Sequence, residues 1–222
     1  MPEYIAKIAI YSLIFLFGAS IGSFLNVVAY RIPRRISLVA PRSRCTHCDK
    51  PISALSLLPV VGYFITRGRC EHCNEKVSVQ YPIVELLTGL ITVFAFQNYL
   101  SYDTLLFYFA NDRAPIGRYY FAELTPFFTA LWLAYTGIAL SLIDAKHRIL
   151  PDRITLPGIV IGLAIGAVTP GMGIGNSLIG AAVGAGILWS VAKLYEVLRG
   201  REGLGFGDVK YLAMVGAVLG WQ

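Results

Sequence analysis

Long apolar runs without charged residues dominate the pattern of this chain. Residues 8–30 contain no charged side chain over 23 positions, and a helix needs about 20 residues to cross the hydrocarbon layer of a bilayer. Four further stretches have the same character, although proline, glycine and single polar residues interrupt them: 82–100, 124–143, 154–170 and 177–195. The pattern predicts five membrane-spanning helices, and the first is too long for a signal-peptide core.

A sixth apolar segment follows Lys210 and contains only residues 211–222. This is shorter than the roughly 20 residues of a full crossing. We therefore expect either a short, partly buried last helix or a truncated form of a longer chain. The predicted fold is an all-α polytopic membrane protein with about six transmembrane helices.

Composition supports a membrane protein over the other broad classes. Hydrophobic residues make up 56% of the chain, charged residues 14%, and the mean hydropathy is +0.62. An ordinary soluble domain carries more charge, and a disordered chain would not contain 13% aromatic residues.

The net charge of +6 could indicate a nucleic-acid partner, so the positions of the cations along the chain matter. If successive loops alternate across a membrane, sixteen Lys and Arg lie on one side and three on the other. The sixteen lie in 31–81, 144–153 and 193–210, and the three are Lys7, Arg113 and Arg118. This positive-inside bias predicts cytoplasmic placement of the sixteen, an external amino terminus and no nucleic-acid partner.

All four cysteines fall in the first predicted cytoplasmic loop, in two CxxC pairs separated by 21 residues. Cys45 and Cys48 form the first pair, and Cys70 and Cys73 form the second. Such a spacing is typical of a structural four-thiolate zinc site with no open coordination position. Two disulfides or idle thiols are the alternative, which a reducing cytosol disfavours. His47 and His72 lie inside the knuckles, where we expect solvated neighbours rather than ligands.

Two aspartates stand at the predicted cytoplasmic ends of membrane helices. Asp144 ends the third span, and Asp208 begins the sixth after the glycines of 203–207. Carboxylates near membrane helices are costly and therefore informative. Two that share a site retain one proton, hold a water as nucleophile and activate a carbonyl, which is aspartic-protease chemistry.

Structural alternatives remain for these acidic residues. Asp208 could simply cap its helix, and Asp152 after Pro151 fits an N-cap before the fourth span. Asp144 at a helix carboxyl end opposes the helix dipole, so a functional role is favoured there. The GxGxG run in 203–207 is not read as a phosphate-binding loop, because no soluble βαβ unit surrounds it.

Five motifs in order resemble the type IV prepilin peptidases, from about residue 18 to the end. They are Gly22-Ser-Phe-Leu-Asn26-Val-Val with Arg31 and Pro33, the paired CxxC knuckles, Tyr81-Pro82 with Glu85, Asp144 with Leu150-Pro-Asp152, and Gly205-Phe-Gly-Asp208-Val-Lys210. The resemblance implies a polytopic inner-membrane aspartic protease of the GxGD type. It also implies that Asp144 and Asp208 are catalytic and that Cys45, Cys48, Cys70 and Cys73 bind zinc.

The resemblance further implies the substrate and a second activity. Family members cut the leader from prepilins and pseudopilins after a Gly on the cytoplasmic side. Bifunctional members then methylate the new amino terminus with S-adenosylmethionine, an activity associated with the amino-terminal portion. Gly22, Asn26 and Glu85 are candidates for methylation, with helix packing, interhelical hydrogen bonding and a helix-dipole charge as their structural alternatives. Relatives usually continue through further hydrophobic segments after the Asp208 helix.

The predicted organisation is a first transmembrane helix over 1–30, a zinc loop over 31–81 and a protease bundle over 82–222, surrounded by lipid. Glycines at Gly158, Gly162, Gly166, Gly180 and Gly184 predict close helix packing near the catalytic pair. A proton-coupled transporter with the two aspartates as a relay is the main alternative function. A second alternative retains methylation and has lost peptidase activity.

Overall fold

The protein is described by a computed structural model that covers residues 2–104, 106, 118–201, 203 and 205–221, with the backbone alone at 2 and 118–123. Its regular structure over these residues is helical, apart from two isolated β-bridges in the cysteine loop. The helices are α1 (Pro2–Arg31), α2 (Val61–Ile65), α3 (Gln80–Tyr99), α4 (Arg118–His147), α5 (Asp152–Val168), α6 (Gly173–Arg199) and α7 (Phe206–Leu219). The all-α prediction is confirmed.

Each of the six predicted apolar segments lies on one of the long helices. Three helices are long and apolar enough to cross a membrane, over Glu3–Arg31, Leu124–His147 and Gly173–Arg199. The helices α3, α5 and α7 are shorter, at 20, 17 and 14 residues. Six crossings therefore stay a prediction. Arg113, which entered the charge count, lies outside the described residues.

The chain divides into two compact units, Met1–Asp112 and Arg113–Gln222. In the first unit, α1 and α3 pack antiparallel through small residues. A Cβ on Gly22 would overlap Thr88 Oγ1 and lie 2.8 Å from Glu85 Cα, and one on Gly18 would lie 2.8 Å from the Thr88 carbonyl oxygen. The two backbones therefore approach closely only because these positions lack side chains. The proposed boundaries at 30 and 81 stay a prediction.

In the second unit, α7 is held between α5 and α6 by the predicted glycine contacts. A Cβ on Gly162 would lie 2.9 Å from Val218 Cγ2, and one on Gly158 would overlap Met214. Gly180 of α6 and Gly216 of α7 meet backbone to backbone, because a Cβ on either would overlap the carbonyl oxygen of the other. The prediction of close packing at these glycines is confirmed.

Candidate functional site

The two CxxC segments form matching turns in the loop between α1 and α3. The N–H of Asp49 donates to the Cys45 carbonyl at 3.0 Å, and the N–H of Asn74 donates to the Cys70 carbonyl at 3.0 Å. Asp49 and Asn74 have φ of 55° and 61°, a left-handed conformation that Asp and Asn tolerate better than most residues. The sequence therefore builds the same turn twice, each presenting two sulfurs.

The four sulfurs meet in one cluster, with all Sγ atoms within 4.8 Å of one another. Cys45 and Cys73 are 3.8 Å apart, and Cys48 and Cys70 are 4.0 Å apart. Tetrahedral zinc with bonds of about 2.3 Å separates its sulfur ligands by about 3.8 Å, so the cluster fits this ion. Bound zinc would supply a structural cross-link between the two knuckles.

Two thiols of the cluster differ in their protonation, because burial and the neighbouring sulfurs raise the pKa of Cys73 to about 12, whereas that of Cys70 is lowered. Backbone N–H groups of Cys73 and His72 hydrogen-bond to the Cys70 sulfur and lower the pKa of this thiol to about 6. The thiolate is the form that binds metal, and Cys70 reaches it at neutral pH. The ring Nε2 of His72 lies 3.2 Å from the Pro51 carbonyl oxygen, outside the sulfur cluster.

Gly22, Asn26 and Glu85, the candidates for methylation, come together where α1 packs on α3. Asn26 is 2% exposed, and its Nδ2 donates to the carbonyls of Gly22 at 3.2 Å and Tyr81 at 3.4 Å. Gln80 Nε2 donates to Asn26 Oδ1 at 3.2 Å. Asn26 thus connects the two helices, as its structural alternative predicted.

The carboxylate of Glu85 binds a strained turn in the cysteine loop. Glu85 is 7% exposed, and its Oε2 accepts the N–H of Val60 at 2.7 Å. Val60 has φ 63° and ψ −55°, and the Val61 N–H donates to the Pro59 carbonyl at 2.6 Å. This is a classic γ-turn, a rare conformation and especially costly for a β-branched residue.

These contacts bear on whether the three residues could form a binding cleft for a methyl donor. The side-chain space beside Gly22 is filled by Thr88, and Asn26 and Glu85 are buried with hydrogen-bond partners inside the chain. They do not form a cleft that fits S-adenosylmethionine in this structure. Gly22 and Asn26 instead hold α1 against α3, and Glu85 holds the cysteine loop on this helix pair.

Asp144 lies in the last turn of α4 and is exposed. The helix ends three residues later, and the N–H of Arg148 donates to the Asp144 carbonyl at 2.8 Å. Lys146 and His147 occupy the same last turn, where positive charge suits the helix dipole and a carboxylate opposes it.

Asp208 is half-buried in the first turn of α7, where Gly205 is the N-cap. Asp208 is therefore not the N-cap residue itself, but it lies in the first turn of the helix, where a negative charge suits the helix dipole. The preceding glycines are needed for different reasons. A Cβ on Gly203 would overlap Tyr195, and one on Gly207 would lie 2.8 Å from Leu150 Cβ, whereas one on Gly205 would meet only Asp208 and its neighbour at 3.7 and 3.9 Å.

Both aspartates lie at one end of the second unit. The start of α7 packs on Leu150, just after α4 ends. Further along α7, Tyr211 OH lies 3.5 Å from where a Cβ on Gly137 of α4 would stand. Asp144 follows Gly137 on α4, and Asp208 precedes Tyr211 on α7. Both aspartates therefore lie on the side of this contact that faces the turn between α4 and α5.

Asp152 differs from its predicted N-cap role. It is the first residue of α5, and Pro151 is the N-cap. The Asp152 carboxylate instead accepts from Lys210 Nζ at 2.7 Å, which connects the starts of α5 and α7. The sequence reasoning missed this pair and the Val60–Glu85 bond, because both join residues that no spacing rule relates.

Two family models and several curated relatives match this chain. The model of the bacterial peptidase A24 N-terminal domain matches residues 16–99, and that of the type IV leader peptidase family matches residues 128–222. A prepilin leader peptidase/N-methyltransferase of Aeromonas hydrophila is 35% identical over 96% of this chain and 74% of its own length. One from Klebsiella pneumoniae is 34% identical over 100% and 91%. No solved structure matches the chain.

Two family models in order cover the helix pair with its cysteine loop and the unit that carries both aspartates. The relatives extend the similarity across nearly the whole sequence. The resemblance read from the five motifs is thereby confirmed, and the chain belongs to the type IV leader peptidase family.

Proposed function

We propose that this protein is a membrane-embedded aspartic endopeptidase that cleaves the leader from type IV prepilins and pseudopilins after a Gly on the cytoplasmic side. Family membership supports the substrate class. The observation that carries the proposal is that Asp144 and Asp208 lie at one end of the same helical unit. Two acids on separate helices at one end can act on one peptide bond.

The proposed chemistry requires the two carboxylates to act together on one water and one carbonyl group. One carboxylate of the pair Asp144 and Asp208 is ionised and takes a proton from the attacking water, while its protonated partner donates to the carbonyl oxygen. Collapse of the tetrahedral intermediate transfers a proton to the leaving amine and restores the pair. The open space beside Gly205 would let an extended substrate backbone approach Asp208.

The test measures prepilin cleavage by the protein reconstituted in lipid. We expect Asp144→Asn and Asp208→Asn each to lose cleavage by at least about a hundredfold, as loss of an acid–base group does, while each remains folded in the membrane. Asp152→Asn is the matched control and should cleave normally, because it loses only a partly exposed ion pair. Normal cleavage by either of the first two variants would refute the assignment.

We also propose that the protein methylates the new amino terminus with S-adenosylmethionine and binds one structural zinc. The relatives carry the name N-methyltransferase, and the sulfur cluster fits zinc. Gly22 and Asn26 would serve methylation by holding the two helices together, and Glu85 would serve it by positioning the loop. With prepilin and S-adenosylmethionine present, the product should lack its leader and gain the mass of one methyl group; cleavage without that gain would remove methylation from the proposal.

Placement in the bacterial inner membrane completes the proposal. Six helices would cross it, with the cysteine loop and both aspartates on the cytoplasmic side. Support comes from the three long apolar helices and from the uneven distribution of cations along the sequence.

A further inference from the structure

The cysteine loop contains an apolar insertion between its two knuckles. Residues 51–66 carry no charged side chain, whereas Lys50 and Arg67 bound them on either side. Six large apolar side chains in this insertion are exposed: Leu55, Leu57, Leu58, Val61, Phe64 and Ile65. Phe64 is the most exposed of them, at 70%. Exposed apolar side chains grouped in this way mark a surface that contacts another protein or a membrane.

The bond between Glu85 and Val60 fixes the depth of this insertion beside the membrane helices. Glu85 packs against Gly22 of α1, nine residues before the helix ends at Arg31, which is about 14 Å along the axis. Side chains tilt toward the start of their helix, so the Val60 N–H lies nearer the helix ends, at about 10 Å. The uncharged run of α1 extends to Tyr30. Val60 therefore lies level with the apolar part of α1.

The backbone on either side of Val60 is prepared for such surroundings. An irregular segment enters the hydrocarbon region only if its polar groups find partners within the protein. Every N–H from Ser56 to Gly62 has an acceptor in the chain. Turns of the segment itself supply all the acceptors but one, and the carboxylate of Glu85 accepts the N–H of Val60.

The two ends of the insertion are held together at the sulfur cluster. Cys48 precedes it and Cys70 follows it, with their sulfurs 4.0 Å apart. Ser53 Oγ donates to Glu71 Oε1 of the second knuckle at 2.7 Å. The segment thus leaves the polar knuckles and returns to them, and the charges of Lys50 and Arg67 stand near its ends, where long cations reach lipid headgroups.

We propose that residues 55–65 form a re-entrant segment that enters the membrane at the Arg31 end of α1, with their exposed apolar side chains in contact with lipid acyl chains. Sixteen uncharged residues are too few to cross a bilayer and return, but they suffice for a shallow insertion. Lipid is the occupant because the patch lies level with the apolar part of α1, beside a helix pair that itself exposes large apolar side chains such as Phe24 and Leu86.

Tryptophan quenching in the full-length protein tests the proposal. Trp132, Trp189 and Trp221 are replaced by Phe, and Phe64→Trp introduces a single reporter. The protein is reconstituted in bilayers whose lipids carry bromine on their acyl chains, or in plain bilayers with acrylamide in the water. Phe17→Trp on the exposed face of α1 is the control for lipid contact, and Thr46→Trp in the first knuckle is the control for water.

We expect the Phe64→Trp reporter to be quenched by brominated lipid about as strongly as the Phe17→Trp reporter. Acrylamide should quench it several-fold less than the Thr46→Trp reporter. Quenching by acrylamide alone would place the segment in water and overturn the proposal. Shielding from both quenchers would mean that protein covers the patch, which also overturns it. Leu57→Trp repeats the measurement if Phe64→Trp does not fold.

Discussion

At the scale of single residues, the role of the buried Glu85 carboxylate is best judged from the group that it binds. Glu85 accepts the N–H of Val60 at 2.7 Å. Val60 is the central residue of the γ-turn that the Val61 N–H closes by donating to the Pro59 carbonyl. The contact gives Glu85, which is buried between two tightly packed helices, a hydrogen-bond partner in the cysteine loop. Glu85 could act by accepting this hydrogen bond or by supplying a negative charge. The two roles can be separated, because accepting a hydrogen bond does not require a charge.

Substitution of Glu85 distinguishes these roles. Glu85→Ala leaves a buried N–H without a partner and should destabilise the first unit by about 1–3 kcal/mol. We expect faster proteolytic cutting within 53–62 and loss of methylation. Glu85→Gln retains an acceptor oxygen, so both the proteolysis pattern and methylation should stay close to normal. Loss of methylation by Glu85→Gln with an unchanged cutting pattern would indicate that the charge itself acts in the reaction.

Sequence reasoning predicted residue types better than partners. The cysteine spacing anticipated the sulfur cluster, because each knuckle is a local turn that its own residues determine. Asn26 likewise connects two helices as one of its alternatives foresaw. The bond from Val60 to Glu85 and the pair of Lys210 with Asp152 could not be predicted, since they depend on how distant segments pack.

At the scale of elements, α7 has little freedom to move against its neighbours. Gly180 and Gly216 place the backbones of α6 and α7 in direct contact, and Gly158 and Gly162 receive Met214 and Val218 of α7 on another side. The helix that carries Asp208 is thus fixed by contacts that allow no added atom. Glycine spacing along α5 and α6 made this packing predictable.

Gly216→Ala tests that packing. The added Cβ would meet the Gly180 carbonyl, so α6 and α7 must separate at a cost of about 1–3 kcal/mol. We expect a lower unfolding temperature and reduced prepilin cleavage, because Asp208 moves with α7. Gly186→Ala is the matched control, since nothing lies within 4 Å of its Cβ position, and it should leave both measurements unchanged. Equal effects of the two substitutions would contradict the packing argument.

The cysteine loop should depend on zinc in a way that the helices do not. Elemental analysis of reduced protein, purified without chelator, should give one zinc per chain, and none would refute the site. Removal of zinc, or Cys45→Ser, should expose 31–79 to protease while the second unit stays resistant. Methylation should fall more than peptide cleavage. Uncleaved loop after complete removal of zinc would show that the knuckles fold without metal.

At the scale of the whole molecule, the cations record how the chain lies across the membrane. Loop 31–81 contains nine Lys and Arg, whereas the turn over 171–176 contains none. Reporter domains should therefore show a cytoplasmic location after residue 76 and an external location within 171–176. The same location for both reporters would contradict the topology. The apolar runs predicted where the helices lie. How many of these helices cross the membrane also depends on helix length, which hydropathy alone does not determine.

Because α7 is fixed, any movement within the proposed catalytic pair would have to come from the helix of Asp144. Glycine contacts hold the helix of Asp208 from two sides, whereas α4, which carries Asp144, contains Pro126 within its span and can bend there. Asp208 would then keep its position, while Asp144 would move with α4 when a pilin leader binds. A substitution that stiffens α4 at Pro126 should therefore slow turnover and leave the packing of α7 unchanged.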